Sequence, residues 1–387
     1  MLSEITLRIE KIQSPLREAG ADALLVSYNA NIYYTALRFF RGYTYIPAEG
    51  EPVFFVIKPL GLAETLPNAV QIRKPEEIPA KLAERGIALP SRLGLELDTM
   101  TWSDIERLRK AMSPSEVLNG SPWLRKARMV KTAAEIKMME FDGVHQTEAY
   151  RHFTKAYRED MTDVEFQIEL ERILRLEGCL GFSRVSGALM EINMGSVING
   201  DNADVPTPYE FAMGGEGVDP ALPGGANGKT MKPGTTVMVD MCGAFNGYQT
   251  DLTRVWRIGE VPELAQKAHD CSIRILRALE EAGVPGVPCA DLYNLATAIV
   301  EEEGLSDYFM GHRQKAAFIG HGVGIELNEM PVLTPRSRDV LEENMTIAIE
   351  PKFVIPGVGA VGPENTYQVT PKGLRNLTPL KEEMIEL

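Results

Sequence analysis

The chain has 387 residues, 44% of them hydrophobic, and a formal net charge of −14. That length exceeds one ordinary core and makes two domains the prior, while the acidic balance excludes nucleic acid and anionic membrane as partners, since either needs a basic face. No stretch reaches the roughly 18 apolar residues of a membrane span, MLSEITLRIEKI lacks an apolar signal region, and the four cysteines (Cys179, Cys242, Cys271, Cys289) form no Cys-x-x-Cys pair, so no disulfide framework or zinc ribbon is indicated and a reducing cytoplasm is the expected home.

The first third reads as an α/β domain. Ile5, Ile9, Ile12 and Leu16 share one helical face, and β-rich runs follow at Ala23 to Ser27 and Pro52 to Ile57. A boundary falls between Ser121 and Lys131, where Ser121-Pro122 and a basic stretch (Arg125, Lys126, Arg128, Lys131) precede a capping box, Thr132 with Glu135. The expected domains are 1–122 and 123–387. In the second, another capping box, Thr162 with Glu165, opens a helix that stops at Gly178, and further helical patterns run from Glu263 to Ala282 and from Asp291 to Glu303.

Between these helices, Thr235 to Met241 and Asp251 to Ile258 flank Asn246-Gly247, the dipeptide best suited to a two-residue type I′ turn. Counting outward pairs Phe245 with Tyr248, Cys242 with Asp251 and Asp240 with Thr253, so Asp240 and Asp251 lie diagonally on one face with α-carbons roughly 7–8 Å apart. Carboxylates so placed can converge on two metal ions about 3.5–4 Å apart. His321 lies within Gly320-His321-Gly322-Val323-Gly324, Glu350 ends the apolar run Met345 to Ile349, and Glu364 precedes the β-rich run Thr366 to Thr370. The segment Ile325 to Pro331 reads as more strand and turn, which rules out a phosphate loop at these glycines. Four carboxylates and one imidazole at strand ends make an oxygen-rich donor set, suited to manganese, iron, cobalt or zinc, because buried carboxylates demand a partner cation.

The stretch Asp240 to Arg254 (DMCGAFNGYQTDLTR), the GHGVG at 320–324, Glu-Met-Pro at 329–331 and Ile-Glu-Pro at 349–351 resemble the metallopeptidase family of Xaa-Pro dipeptidases, aminopeptidase P and methionine aminopeptidase. The resemblance implies a creatinase-like α/β amino-terminal domain and a carboxy-terminal pita-bread domain, two divalent metal ions per chain, a small peptide or amide as substrate, and a homodimer. It implies that Asp251 and Glu364 bridge the metals, that Asp240 binds one, and that His321 and Glu350 complete the other, with Glu350 also shuttling the proton.

Three positions depart from the family pattern. Asn328 stands where the family has a second histidine that binds substrate and its tetrahedral intermediate; it can donate a hydrogen bond but carries no proton at neutral pH. The glycine- and proline-rich run 214–228 lies where another family histidine is expected, and Gly362 replaces a prolidase-like arginine. These changes leave open a relative that keeps the metals but acts on a non-peptide amide. A non-catalytic binding module on the same fold is opposed by the retained ligands, since four unused acids would repel one another. Cys242 reads as core filler rather than a ligand. Arg254 is open between orienting a carboxylate and a strand-end position, the run 214–228 between a lid and a surface loop, and His312, His145 and His152 read as surface residues.

Overall fold

The computed structural model describes residues 2–187 and 192–387, in two compact units, Met1–Arg128 and Met129–Leu387. The stretch expected as a boundary is itself helical, Ser121–Met129.

In the first unit the helix Leu2–Glu18 buries Ile5, Ile9, Ile12 and Leu16, as apolar residues spaced by a turn must if the helix is to dock. Its sheet contains six strands: β1 (Ala23–Val26), β2 (Arg41–Pro47), β3 (Val53–Lys58), β4 (Ala69–Gln71), β5 (Arg92–Leu95) and β6 (Glu116–Asn119), in the order β4-β3-β2-β1-β5-β6. The pairs β1/β2 and β2/β3 are antiparallel and the rest parallel. Strand β1 and the first four residues of β3, Val53 to Val56, are continuous buried apolar runs, as strands covered on both faces are.

The second unit has two principal sheets. One runs β7 (Gly195–Asn199), β8 (Thr235–Met241), β9 (Thr253–Ile258), with a short terminal strand, Ile385–Glu386, beside β9. The other is antiparallel and contains β10 (Gly320–Gly322), β11 (Glu329–Val332), β12 (Thr346–Ile349), β15 (Asn365–Thr370) and β16 (Gly373–Asn376), ordered β11-β10-β12-β15-β16. Between β12 and β15 the chain forms the small hairpin β13 (Phe353–Ile355) and β14 (Gly359–Val361). Strand β14 lies against β8, where Thr236 Oγ1 donates to Ala360 O at 2.9 Å.

Helices Ala133–Tyr150 and Asp163–Glu177 start at the two expected capping boxes, and the second stops at Gly178 in the left-handed region. They cover the first sheet with Tyr150, Phe166 and Leu170, which share a core with Phe153 and with Trp256 of β9. Helices Glu263–Ala282 and Cys289–Glu303 cover the second. The segment after the GHGVG motif, expected as strand and turn, reaches strand geometry only at Glu329. All four cysteines are free and buried, and no helix among the described residues is long and apolar enough to cross a membrane.

The hairpin joining β8 and β9 keeps the expected register, with Asp240 opposite Thr253 and a bridge from Gly243 to Thr250. Its tip differs from the expected type I′ turn, because neither Asn246 nor Gly247 has a positive φ. Asn246 is turned into the protein instead. Its side-chain amide donates to Met138 O and Asp142 Oδ1, while its own Oδ1 accepts from Tyr248 N–H. Tertiary hydrogen bonds outweigh the local preference of Asn-Gly. Asp142 Oδ1 also accepts from Phe245 N–H, its Oδ2 is buried without a partner, and burial pushes its pKa up to about 8.

A carboxyl that titrates near pH 8 when folded and near 4 when unfolded retains its proton only in the folded state between those values, so its term in the stability falls as pH rises across that window. Asp142→Asn keeps an acceptor for Phe245 N–H and carries no charge. Its urea midpoint is expected to fall less steeply than that of the parent between pH 5 and pH 8; parallel declines would show that Asp142 does not titrate there.

Candidate metal centre

Five segments deliver the five predicted side chains. Asp240 lies near the end of β8, Asp251 two residues before β9, His321 within β10, Glu350 directly after β12 and Glu364 directly before β15. Because Ile349 pairs with Asn365 across the antiparallel β12/β15 ladder, Glu350 and Glu364 emerge side by side at its end. Strand β10 sets His321 opposite Ala348 on the other flank of β12.

The two sheets are joined at this point by backbone groups and two threonine hydroxyls, one of which also reaches a carboxylate. Asp251 N–H donates to Thr366 Oγ1 at 2.8 Å, and that hydroxyl donates back to Asp251 O at 2.9 Å. Glu364 N–H donates to Thr253 O, and Thr253 Oγ1 donates to Glu364 Oε2 at 2.6 Å. Arg254 is fully buried beneath them, donating to Thr253 O, Glu364 O, Asn365 Oδ1, Leu380 O and Lys381 O. It therefore orients the backbone that carries Glu364 rather than lying at a surface, and burial draws its pKa down to about 10.

Two overlapping groups of donors result, each with ligand atoms within 4.8 Å of one another: Asp251, His321 and Glu364, and Asp240, Glu350 and Glu364. In the first group His321 Nδ1 faces Gly322 O at 3.0 Å, which places the ring proton there and leaves the Nε2 lone pair toward Asp251 and Glu350. Glu364 Oε1 is buried without a partner. An orphaned carboxylate oxygen beside an available imidazole nitrogen and Asp251 fits one divalent cation. Burial, reinforced by the neighbouring acids, holds the pKa values of Asp251 and Glu364 well above the carboxylate range in the absence of a cation.

The second group is already engaged. Lys352, wholly buried, places its Nζ 2.6 Å from Asp240 Oδ2, 2.7 Å from Glu350 Oε2 and 3.2 Å from Glu364 Oε2. Burial pulls the ammonium pKa down, but the charges of Asp240, Glu350 and Glu364 outweigh it and set the value well above that of ordinary lysine. A second divalent cation does not fit among those three oxygens while the ammonium is there. Sequence reasoning missed this residue. Its signal was a single cation in the otherwise apolar run after Glu350, at the i, i+2 spacing that puts both side chains on one side of an extended backbone.

Above the donors opens a cavity of about 260 Å³, whose walls include Ile198, Phe211, Met213, Met238, Phe318 and Leu327, with Asp240, Asp251, His321 and Glu350 in its lining. Asn328 is on the rim, where its Oδ1 accepts from Ser186 N–H and its Nδ2 donates to Ser186 O, so that it clasps a neighbouring loop. Cys242 also lines the cavity, but its thiol lies 2.8 Å from Ser183 Oγ and burial pushes its pKa up, as suits filler better than a thiolate ligand.

The run 214–228 is pinned by Asn202, which accepts from Glu216 N–H and donates to Gly225 O, and by Asp163, which accepts from Asn227 and Gly228 N–H. It is the preceding segment, 210–213, that walls the cavity. His312 pairs with Asp204, His145 with Glu177 and His152 with Glu148, all partly exposed and outside both donor groups.

The model of metallopeptidase family M24 matches residues 143–371, and that of the creatinase/prolidase N-terminal domain matches residues 8–130. An Xaa-Pro dipeptidase of Pyrococcus furiosus is 25% identical over 383 residues, covering 98% of this chain and 99% of its own. Among solved structures, an Xaa-Pro dipeptidase from Bacillus anthracis superposes with a TM-score of 0.82 at 25% identity, covering 99% of this chain and all of its own. The prolidase from Pyrococcus horikoshii OT3 superposes at 0.78 with 24% identity, covering 98% and 99%.

Arg254→Met removes the shared donor of five acceptors, three of them in buried hydrogen bonds, and is expected to destabilise the protein by about 3 kcal/mol or more. Denaturant unfolding checks this; a change below about 0.5 kcal/mol would mean that the backbone under Glu364 supports itself.

Proposed function

We propose, for a chain that belongs to metallopeptidase family M24, that it cleaves a peptide or amide bond in a small substrate, an Xaa-Pro dipeptide first among them. The observation that carries this reading is the convergence of Asp251, His321 and Glu364 beneath a largely apolar cavity. Of the expected ligand set Asp240, Asp251, His321, Glu350 and Glu364, it is Asp251, His321 and Glu364 that are proposed to hold a divalent cation, manganese, iron, cobalt or zinc by their donor chemistry, while Asp240 and Glu350 meet Lys352. When bound, such a cation supplies polarisation of the scissile carbonyl and acidification of water.

The remaining work falls to the chain itself. Phe211, Met213, Phe318 and Leu327 exclude water and offer a non-polar bed for a ring as compact as that of proline. Glu350 Oε1, the oxygen that Lys352 does not take, lies 3.5 Å from His321 Nε2, which supports assigning it the receipt and return of a proton at the cleaved bond. One N–H of the Asn328 amide is bound to Ser186 O, and the other is assigned to a developing oxyanion. Two metal ions per chain are the family expectation; the donor chemistry here supports one of them, at Asp251, His321 and Glu364. A homodimer belongs to the same reading, and light scattering measures it.

The clasped Asn328 keeps a second reading in view, a non-peptide amide of similar size, because the residue presents only part of its amide to a substrate. Protein reconstituted with manganese, cobalt or zinc is expected to hydrolyse members of an Xaa-Pro dipeptide panel, and Asp251→Asn to lower kcat/KM by about 10²–10⁴. Cation-loaded protein inert toward every peptide offered would remove the peptidase reading. Turnover of a carboxamide panel by that same protein would install the alternative.

A further inference from the structure

We infer that Lys352 is a built-in substitute for one cation: its ammonium permanently fills the position framed by Asp240, Glu350 and Glu364, so that the chain takes one divalent ion fewer than the cluster could hold. This rests on the cation reading of the site given above. The three hydrogens of the ammonium are matched by three carboxylate oxygens from three separate segments, at 2.6, 2.7 and 3.2 Å. Those residues are the second donor group itself. An ion taking the same oxygens would have to lie where Nζ lies, and a positive neighbour so close would oppose its entry.

The side chain also lacks an alternative place. Lys352 is wholly buried, and its backbone is held by Met310 N–H, which donates to Lys352 O at 2.8 Å. Gly362 closes the other side. A β-carbon built there would lie 2.5 Å from Pro351 O and 3.0 Å from Lys352 Cα, and the residue has φ +115°, a region that side chains rarely adopt. The glycine where an arginine was expected and the unexpected lysine are therefore one local arrangement: the small residue lets the 351–352 backbone come close enough for the ammonium to enter the cluster.

The test is cation stoichiometry by elemental analysis after gel filtration in manganese, on the intact chain and on Lys352→Ala. The variant is expected to hold one manganese per chain more than the parent and to show the spin-coupled electron paramagnetic resonance of a manganese pair, where the parent shows isolated ions. A gain from none to one supports the substitution while failing the cation reading of the parent site, so the two claims separate. A parent chain that already holds two ions with a coupled signal overturns the inference, as does a variant that gains none. Should Lys352→Ala not fold, the spectrum of manganese-saturated parent decides alone, since a coupled pair in it refutes the proposal and isolated ions support it.

Discussion

Four carboxylates meet in one largely buried place in this protein, and the rest of the second unit is arranged around the need to balance them. Uncompensated, burial and then the mutual repulsion of the acids would drive members of the cluster to take up protons, the direction in which the pKa values of Asp251 and Glu364 move. Positive charge comes from two directions. Lys352 supplies it on the side of Asp240 and Glu350, and a donor set with an orphaned oxygen and an open imidazole nitrogen invites it on the side of Asp251 and His321.

Holding acids together requires a scaffold that does not depend on them. The structure provides it through neutral hydrogen bonds between the two sheets, chiefly the reciprocal pair of Asp251 backbone and Thr366 hydroxyl and the bond from Glu364 N–H to Thr253 O. Arg254 adds a cation one layer further down, directed at carbonyls rather than at the carboxylates. Close backbone approach does the rest. A β-carbon at Gly322 would lie 2.1 Å from Met330 O, so only glycine lets β10 and β11 pair beside His321.

Much of this was legible in the residues, for identifiable reasons. Capping boxes at Thr132 and Thr162 are local chemistry and located two helices to the residue. The register of β8 and β9 came out of counting from Asn246-Gly247, although the turn itself is different, because both strands are largely buried on both faces and the Gly243–Thr250 bridge carries the same pairing up to the remodelled tip. Helix Glu263–Ala282 matches its pattern from end to end, while short strands such as β4 carry too few residues for any period to emerge. Lys352 escaped notice because its meaning lies in acids 112, 2 and 12 positions away that meet only after folding. Asn328 was visible as a departure, yet its clasp on Ser186 depends on a loop 142 residues upstream.

A counter-ion attached by its own backbone behaves unlike one drawn from solution. It arrives with translation, cannot be removed by a chelator, and does not exchange with whichever metal happens to be abundant. Part of the electrostatic balance in this pocket is therefore inherited rather than acquired, and the chain can complete its fold around Asp240, Glu350 and Glu364 before it has encountered any dissolved ion.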